Sequence, residues 1–156
     1  MIRPATPADE PALIEQFTLL NRVEEALIHN RRVEEGGGEP SLRHSQRRIA
    51  ESNGIMLVLE LEGRVMGHLA LVYDRHPPFV REEFRDYAYV AELFVREELR
   101  GKGHGRALLA EAERLARERG MPSMVLGVLT GNDPAIRSYE AYGFRPFATD
   151  MVKPLT

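Results

Sequence analysis

"LRGKGHGRALLAEAERLA", residues 99–116, places three glycines at alternate positions, 101, 103 and 105, among the cations Arg100, Lys102 and Arg106. Leu108, Leu109, Ala112, Leu115 and Ala116 then recur at the three- and four-residue spacing of one helical face. Just upstream, "YAYVAELFV", residues 87–95, has the composition of a strand. The whole reads as strand, glycine turn and helix start. Backbone N–H groups at a helix start lack intrahelical partners and carry the positive end of the helix dipole. Glycine lets a ligand approach that backbone without a Cβ in the way. The stretch therefore suits a phosphate or pyrophosphate, or else a tight connection whose glycines serve only left-handed backbone.

Two common nucleotide motifs do not fit. The P-loop requires Ser or Thr after Gly-Lys, and Lys102 is followed by Gly103. The dinucleotide fingerprint requires a third small residue three places after its second glycine. Starting from Gly101 or Gly103, that place holds Arg106 or Leu108. A different phosphate- or nucleotide-binding protein stays open only as a weaker reading.

Outward from the turn, the chain of 156 residues has the length of one domain, 1–156. Apolar residues make up 43% and charged residues 29%, the balance of a globular protein. A formal net charge of −3 argues against a general nucleic-acid binder. The absence of cysteine removes disulfides, thiolate metal clusters and a cysteine nucleophile. No signal-peptide core opens the sequence and no apolar run reaches the ~18 residues of a membrane span, so a cytoplasmic location is expected. The five histidines lack metal-site spacing, so no metal is expected.

Elements follow in order. Residues 1–5 read as a strand, with Thr6 and Pro7 opening a helix to about Leu20 whose pattern resumes less clearly through "VEEALIHNRRVEE". "GGGEPS", residues 36–41, reads as a mobile loop, with Ser41 capping a helix to about Ser52. Two strands flank Glu62-Gly63 as a hairpin. After the strand at 87–95 and a helix to about Gly120, "SMVLGVL" reads as a buried strand, "NDPAIRSYEAY" as a short helix and "GFRPFATDMVKPL" as a terminal hairpin or pair of strands. Hairpins among the strands exclude an all-parallel sheet.

"VREELRGKGHGRALL", followed some thirty residues later by "GNDPAIRSYEAYGF", resembles the GNAT superfamily of acetyl-CoA-dependent N-acetyltransferases. Arg100, Gly103 and Gly105 fit that family's Arg/Gln-x-x-Gly-x-Gly/Ala signature, and Asn132, Ala135, Tyr139, Gly143 and Phe144 fit its second segment. The resemblance implies a mixed α/β (α+β) fold with a mostly antiparallel central sheet flanked by helices. It implies acetyl-CoA as cosubstrate, with the pyrophosphate on the backbone of Arg100, Gly101, Lys102, Gly103, His104, Gly105 and Arg106. The pantetheine arm would lie along Leu93, Phe94 and Val95 and reach Asn132. Glu92 falls at the family's frequent acidic position, as general base or as a solvated strand glutamate. Tyr139 falls on the tyrosine that faces the coenzyme sulfur, as general acid or as a core aromatic.

The activity so implied is transfer of acetyl to a primary amine; the alternative is a catalytically silent acyl-CoA-binding sensor. The acceptor, small molecule or protein amine, is not readable. Glu24, Glu25, Glu34 and Glu35 hint at a cation, but exposed helix glutamates are commonplace. "LRHSQRRIAE" is basic on one side and reads as a solvated helix face. A homodimer is a family expectation.

Overall fold

The computed structural model describes residues 1–156. Its strands are β1 (Ile2–Pro4), β2 (Ile55–Leu61), β3 (Arg64–Arg75), β4 (Asp86–Val95) and β5 (Met124–Leu126). Its helices are α1 (Glu10–Ile28), α2 (Glu39–Ser52), α3 (His104–Glu118) and α4 (Asp133–Tyr142). The strands form one sheet in the order β1-β2-β3-β4-β5, antiparallel except for the β4–β5 pair. No helix is long and apolar enough to cross a membrane.

Strand alternation sorts the core into two layers. Leu57, Leu59, Leu69, Leu71, Ala88 and Val90 pack against Leu108, Leu109, Ala112 and Ala116 of α3. From the other face, Met56, Val58 and Ala70 meet Leu13 and Phe17 of α1 and Leu42 of α2. Helices thus cover both sides, which is why β2 is apolar at nearly every position. The β2–β3 hairpin turns at Glu62 and Gly63, with φ of 50° and 73°. Two consecutive left-handed residues match the twist of a two-residue hairpin.

Gln16 ties α1 to the sheet through both ends of its amide, its Nε2 donating to Val65 O at 2.9 Å. The His68 ring is fully buried, stacked on Phe17 at 4.6 Å and on Phe94 at 5.8 Å, with Nδ1 2.8 Å from Gln16 Oε1. Burial pushes this imidazole down to about 3, so it packs as a neutral ring.

Several expectations are corrected. The first helix is continuous from Glu10 to Ile28 and closes on a left-handed His29. Buried Asn21 donates to the carbonyls of Arg32 and Gly37, at 2.9 and 3.4 Å, and so ties the following chain back to the helix. The GGG segment is packed rather than loose: Gly37 and Gly38 are buried, and the Gly38 N–H donates to Thr18 Oγ1 at 2.9 Å. The second helix then starts at Glu39, so Ser41 lies inside its first turn rather than capping it. The chain after α4 forms no strands. Pro146 and Pro154 each remove a backbone donor there, which disfavours a ladder. The adjoining β5 is only three half-buried residues at the sheet edge.

A Cβ on Gly38 would lie 2.3 Å from the backbone nitrogen of Thr18 and 2.5 Å from the carbonyl oxygen of Ile14. Gly38→Ala is therefore expected to lower the unfolding free energy by ~1–3 kcal/mol, the range for overpacking a tight contact. Urea denaturation checks this, and a variant within about 0.5 kcal/mol of wild type would mean that the α1–α2 junction yields freely.

Candidate active site

The register of β4 determines the site. Leu71 pairs with Val90 and Ala70 with Glu92, so Ala91 is an extra residue, a β-bulge. Bulging interrupts the alternation at this point. Val90 packs in the layer beneath α3, and Leu93 and Val95 adjoin the same layer. Glu92 instead stands opposite Ala70, on the face covered by α1 and α2. Regular alternation from Val90 would have turned it into the α3 core.

The same bulge marks where β4 and β5 part. They pair only at Ala88–Met124, Tyr89–Val125 and Val90–Leu126, which leaves Ala91–Val95 without a strand partner on that side. A cleft of about 1190 Å³ opens along this edge.

One end of the cleft is the glycine turn. Gly101 and Gly103 have φ of 74° and 86°, so glycine satisfies their left-handed backbone. Gly105 differs, because it lies inside α3, where glycine is less favourable than alanine by roughly 1 kcal/mol. A Cβ there would meet nothing nearer than Val95 Cγ2 at 4.0 Å. No intramolecular contact requires glycine at this cleft-lining position. The Ala107 N–H bonds to Gly103 O at 3.0 Å as the first full turn closes, and the N–H groups of His104, Gly105 and Arg106 precede it. The Arg100 Nε–H donates to Val95 O at 3.0 Å, fastening the turn to the end of β4.

Glu92 and Tyr139 line the middle of the cleft. Burial, reinforced by the charge of Glu24, pushes the Glu92 carboxyl up to about 7, while Arg48 and Arg31 oppose the shift. Burial likewise raises Tyr139, and the charges of Glu24 and Glu92 add to it. The Tyr139 ring packs edge-on against Phe144 at 6.1 Å. Tyr142, one turn later, has a different use for its hydroxyl, which donates to Glu113 at 2.7 Å. Asn132 caps α4 by accepting from the Ala135 N–H at 3.4 Å and also lines the cleft.

Of the residues singled out in the sequence, Glu92, Leu93, Phe94, Val95, Arg100, Gly101, Gly103, Gly105, Arg106, Asn132 and Tyr139 share this cleft. Lys102 and His104 do not line it. The opposite end is walled by residues the motifs did not mark, among them Arg31, Arg32, His44 and Tyr89. Glu24 is there too, held by Arg31 Nε at 2.6 Å. Glu25 instead accepts from the Arg31 backbone N–H at 2.6 Å, and Glu34 and Glu35 lie outside the cleft. No group of three or more His, Asp or Glu side chains is placed to hold a metal ion.

This architecture is shared with known proteins. A mycothiol acetyltransferase of Saccharomonospora viridis is 34% identical over 113 residues, 71% of this chain, and the match spans 36% of that longer protein. Among solved structures, a mutant of the BH1408 protein of Bacillus halodurans superposes with a TM-score of 0.86 at 22% identity, over 100% of this chain and 99% of that one. A predicted acetyltransferase of Clostridium acetobutylicum, solved with acetyl-CoA, gives a TM-score of 0.74 at 17% identity, over 99% of this chain and 96% of that one. The Acetyltransferase (GNAT) family matches residues 19–144, and the chain belongs to that family.

Proposed function

We propose that residues 1–156 act as one N-acetyltransferase domain that moves acetyl from acetyl-CoA to a primary amine. The observation that carries this reading is the single cleft joining the glycine turn, the free edge of β4, Glu92 and Tyr139. The pyrophosphate would rest on the N–H groups that open α3, where the space beside Gly105 admits it. The amides of the pantetheine arm would pair with the edge Leu93–Val95 as an added strand does. The Clostridium structure with acetyl-CoA on the same fold supports acetyl-CoA as the cosubstrate. The alternative of a silent acyl-CoA sensor has no feature of the cleft in its favour.

Attack on the thioester requires a neutral amine, and an alkylamine with a pKa near ~10.4 arrives protonated at pH 7. Glu92, titrating at about 7, is suited to accept that proton. The amine nitrogen then bonds to the carbonyl carbon, and a backbone N–H of β4 stabilises the oxygen as it gains charge. Collapse breaks the carbon–sulfur bond. The Tyr139 hydroxyl donates its proton to the leaving thiolate. The acylated nitrogen gives up its extra proton to reprotonate the tyrosinate directly or through water, and Glu92 releases its proton to solvent, giving free coenzyme A and the neutral acetamide.

Two measurements test these roles. A raised carboxyl pKa means that the base form accumulates as pH climbs through about 7. The ratio of wild-type to Glu92→Gln rates should therefore grow up to about that pH and level off above it, whereas a ratio independent of pH would place the base elsewhere. Tyr139→Phe keeps the ring and should lower kcat by roughly 10²–10⁴-fold, with melting temperature and acetyl-CoA affinity nearly unchanged. Turnover within about twofold of wild type, with chemistry rate-limiting, would make Tyr139 a packing residue only.

A further inference from the structure

Six arginines are half-buried: Arg3, Arg31, Arg43, Arg48, Arg85 and Arg96. Five of them pair with carboxylates, Arg3 with Asp9 and Glu60, Arg31 with Glu24, Arg43 with Glu10 and Glu39, Arg85 with Glu82, and Arg96 with Glu15. Arg48 is the exception. Its guanidinium lies 5.1 Å from the centroid of the Tyr89 ring, and no carboxylate comes within ion-pair distance. None of its N–H groups is both buried and unpartnered, so the cation is steadied by the aromatic face while its donors stay open to a ligand.

Its position relates it to the cleft. Tyr89, beneath it, lines the cleft, and so do Ser41 and His44 of α2. Spacings of three and seven residues from Ser41 put His44 and Arg48 on the same face of that helix. Arg48 is also near enough to Glu92 for its charge to act on that carboxyl. The acceptor end of the cleft is therefore dipolar. Glu24, Glu92 and Asp150 line the cleft with negative charge and the exposed Arg32 with positive charge. Arg48 is not itself a lining residue but adjoins the cleft through Tyr89, a half-buried positive charge with no carboxylate partner. Arg31 cannot supply it, since Glu24 holds its guanidinium.

We propose that Arg48 holds the carboxylate of the acceptor, and that the acceptor is a small primary amine bearing a carboxylate, an amino acid or close derivative. This rests on the acetyltransfer reading above. Stacked by its face, a guanidinium keeps its N–H edge for a planar anion, and carboxylate matches that fork in two parallel hydrogen bonds. His44, a turn away, supplies a further donor. An ammonium group on the same molecule then faces Glu92. A polyamine would meet the Arg48 charge unfavourably, and an uncharged acceptor would leave it unmatched.

The test compares free amino acids with their C-terminal amides, which keep the amine and side chain and lose the negative charge. Acetylation kinetics are run on wild type, Arg48→Gln and Arg48→Met, with folding of each variant checked by melting. In parallel, calorimetry measures binding of each acid and amide to the coenzyme A-loaded protein, so that the carboxylate preference is read independently of turnover. Wild type is expected to favour acids over amides at least tenfold, mainly through KM and Kd, and both variants to bring that ratio within about twofold. An acid preference absent from wild type, or undiminished in the variants, overturns the proposal. Arg48-dependent binding of acids without acetylation would support the carboxylate site while contradicting acetyltransfer. Acetylation without acid preference would do the reverse.

Discussion

One extra residue in β4 sets the geometry on which everything else depends. Ala91 stands opposite nothing on β3, and the strand therefore changes the sense of its alternation between Val90 and Glu92. Bulges bend a strand and increase its local twist. Here the consequence on one edge is that β4 leaves β5 after Val90, exposing backbone donors and acceptors along Ala91–Val95. The consequence on the faces is that a glutamate moves from the α3 core to the cleft beneath α1 and α2. A ligand-binding edge and an acidic group beside it thus have one common cause.

The environment of that glutamate is assembled from three separate elements. Burial in the cleft disfavours its charge, Glu24 on α1 adds repulsion, and Arg48 on α2 and Arg31 after α1 offset part of it. The resulting value near neutrality needs the helices in place. The buried contacts of the α1–α2 junction, with Gly38 against Thr18 and Asn21 holding the carbonyls of Arg32 and Gly37, keep them there. Packing at the α1–α2 junction and proton affinity in the cleft are therefore linked.

The sequence was most legible where a backbone demand restricts residue choice. Glu62-Gly63 announced its hairpin and the alternating glycines announced the turn before α3, because left-handed conformations favour few residue types. The bulge carried no such mark: Val90, Glu92 and Phe94 read as ordinary alternation, and an alanine is as common in a regular strand. Phe147, Met151 and Val152 suggested strand by composition, yet the segment has prolines on either side and forms none. Arg48 was indistinguishable from Arg47 in a basic helix. Only docking of α2 over Tyr89 separates the exposed Arg47 from an arginine held against a cleft-lining tyrosine.

The most direct test is a crystal structure of the chain with acetyl-CoA. The diphosphate is expected against the backbone of Gly101–Arg106, the pantetheine amides hydrogen-bonded to β4 between the bulge and Val95, and the thioester facing Glu92 and Tyr139. Coenzyme bound away from the free edge of β4, or a thioester turned from Glu92, would contradict this mechanism.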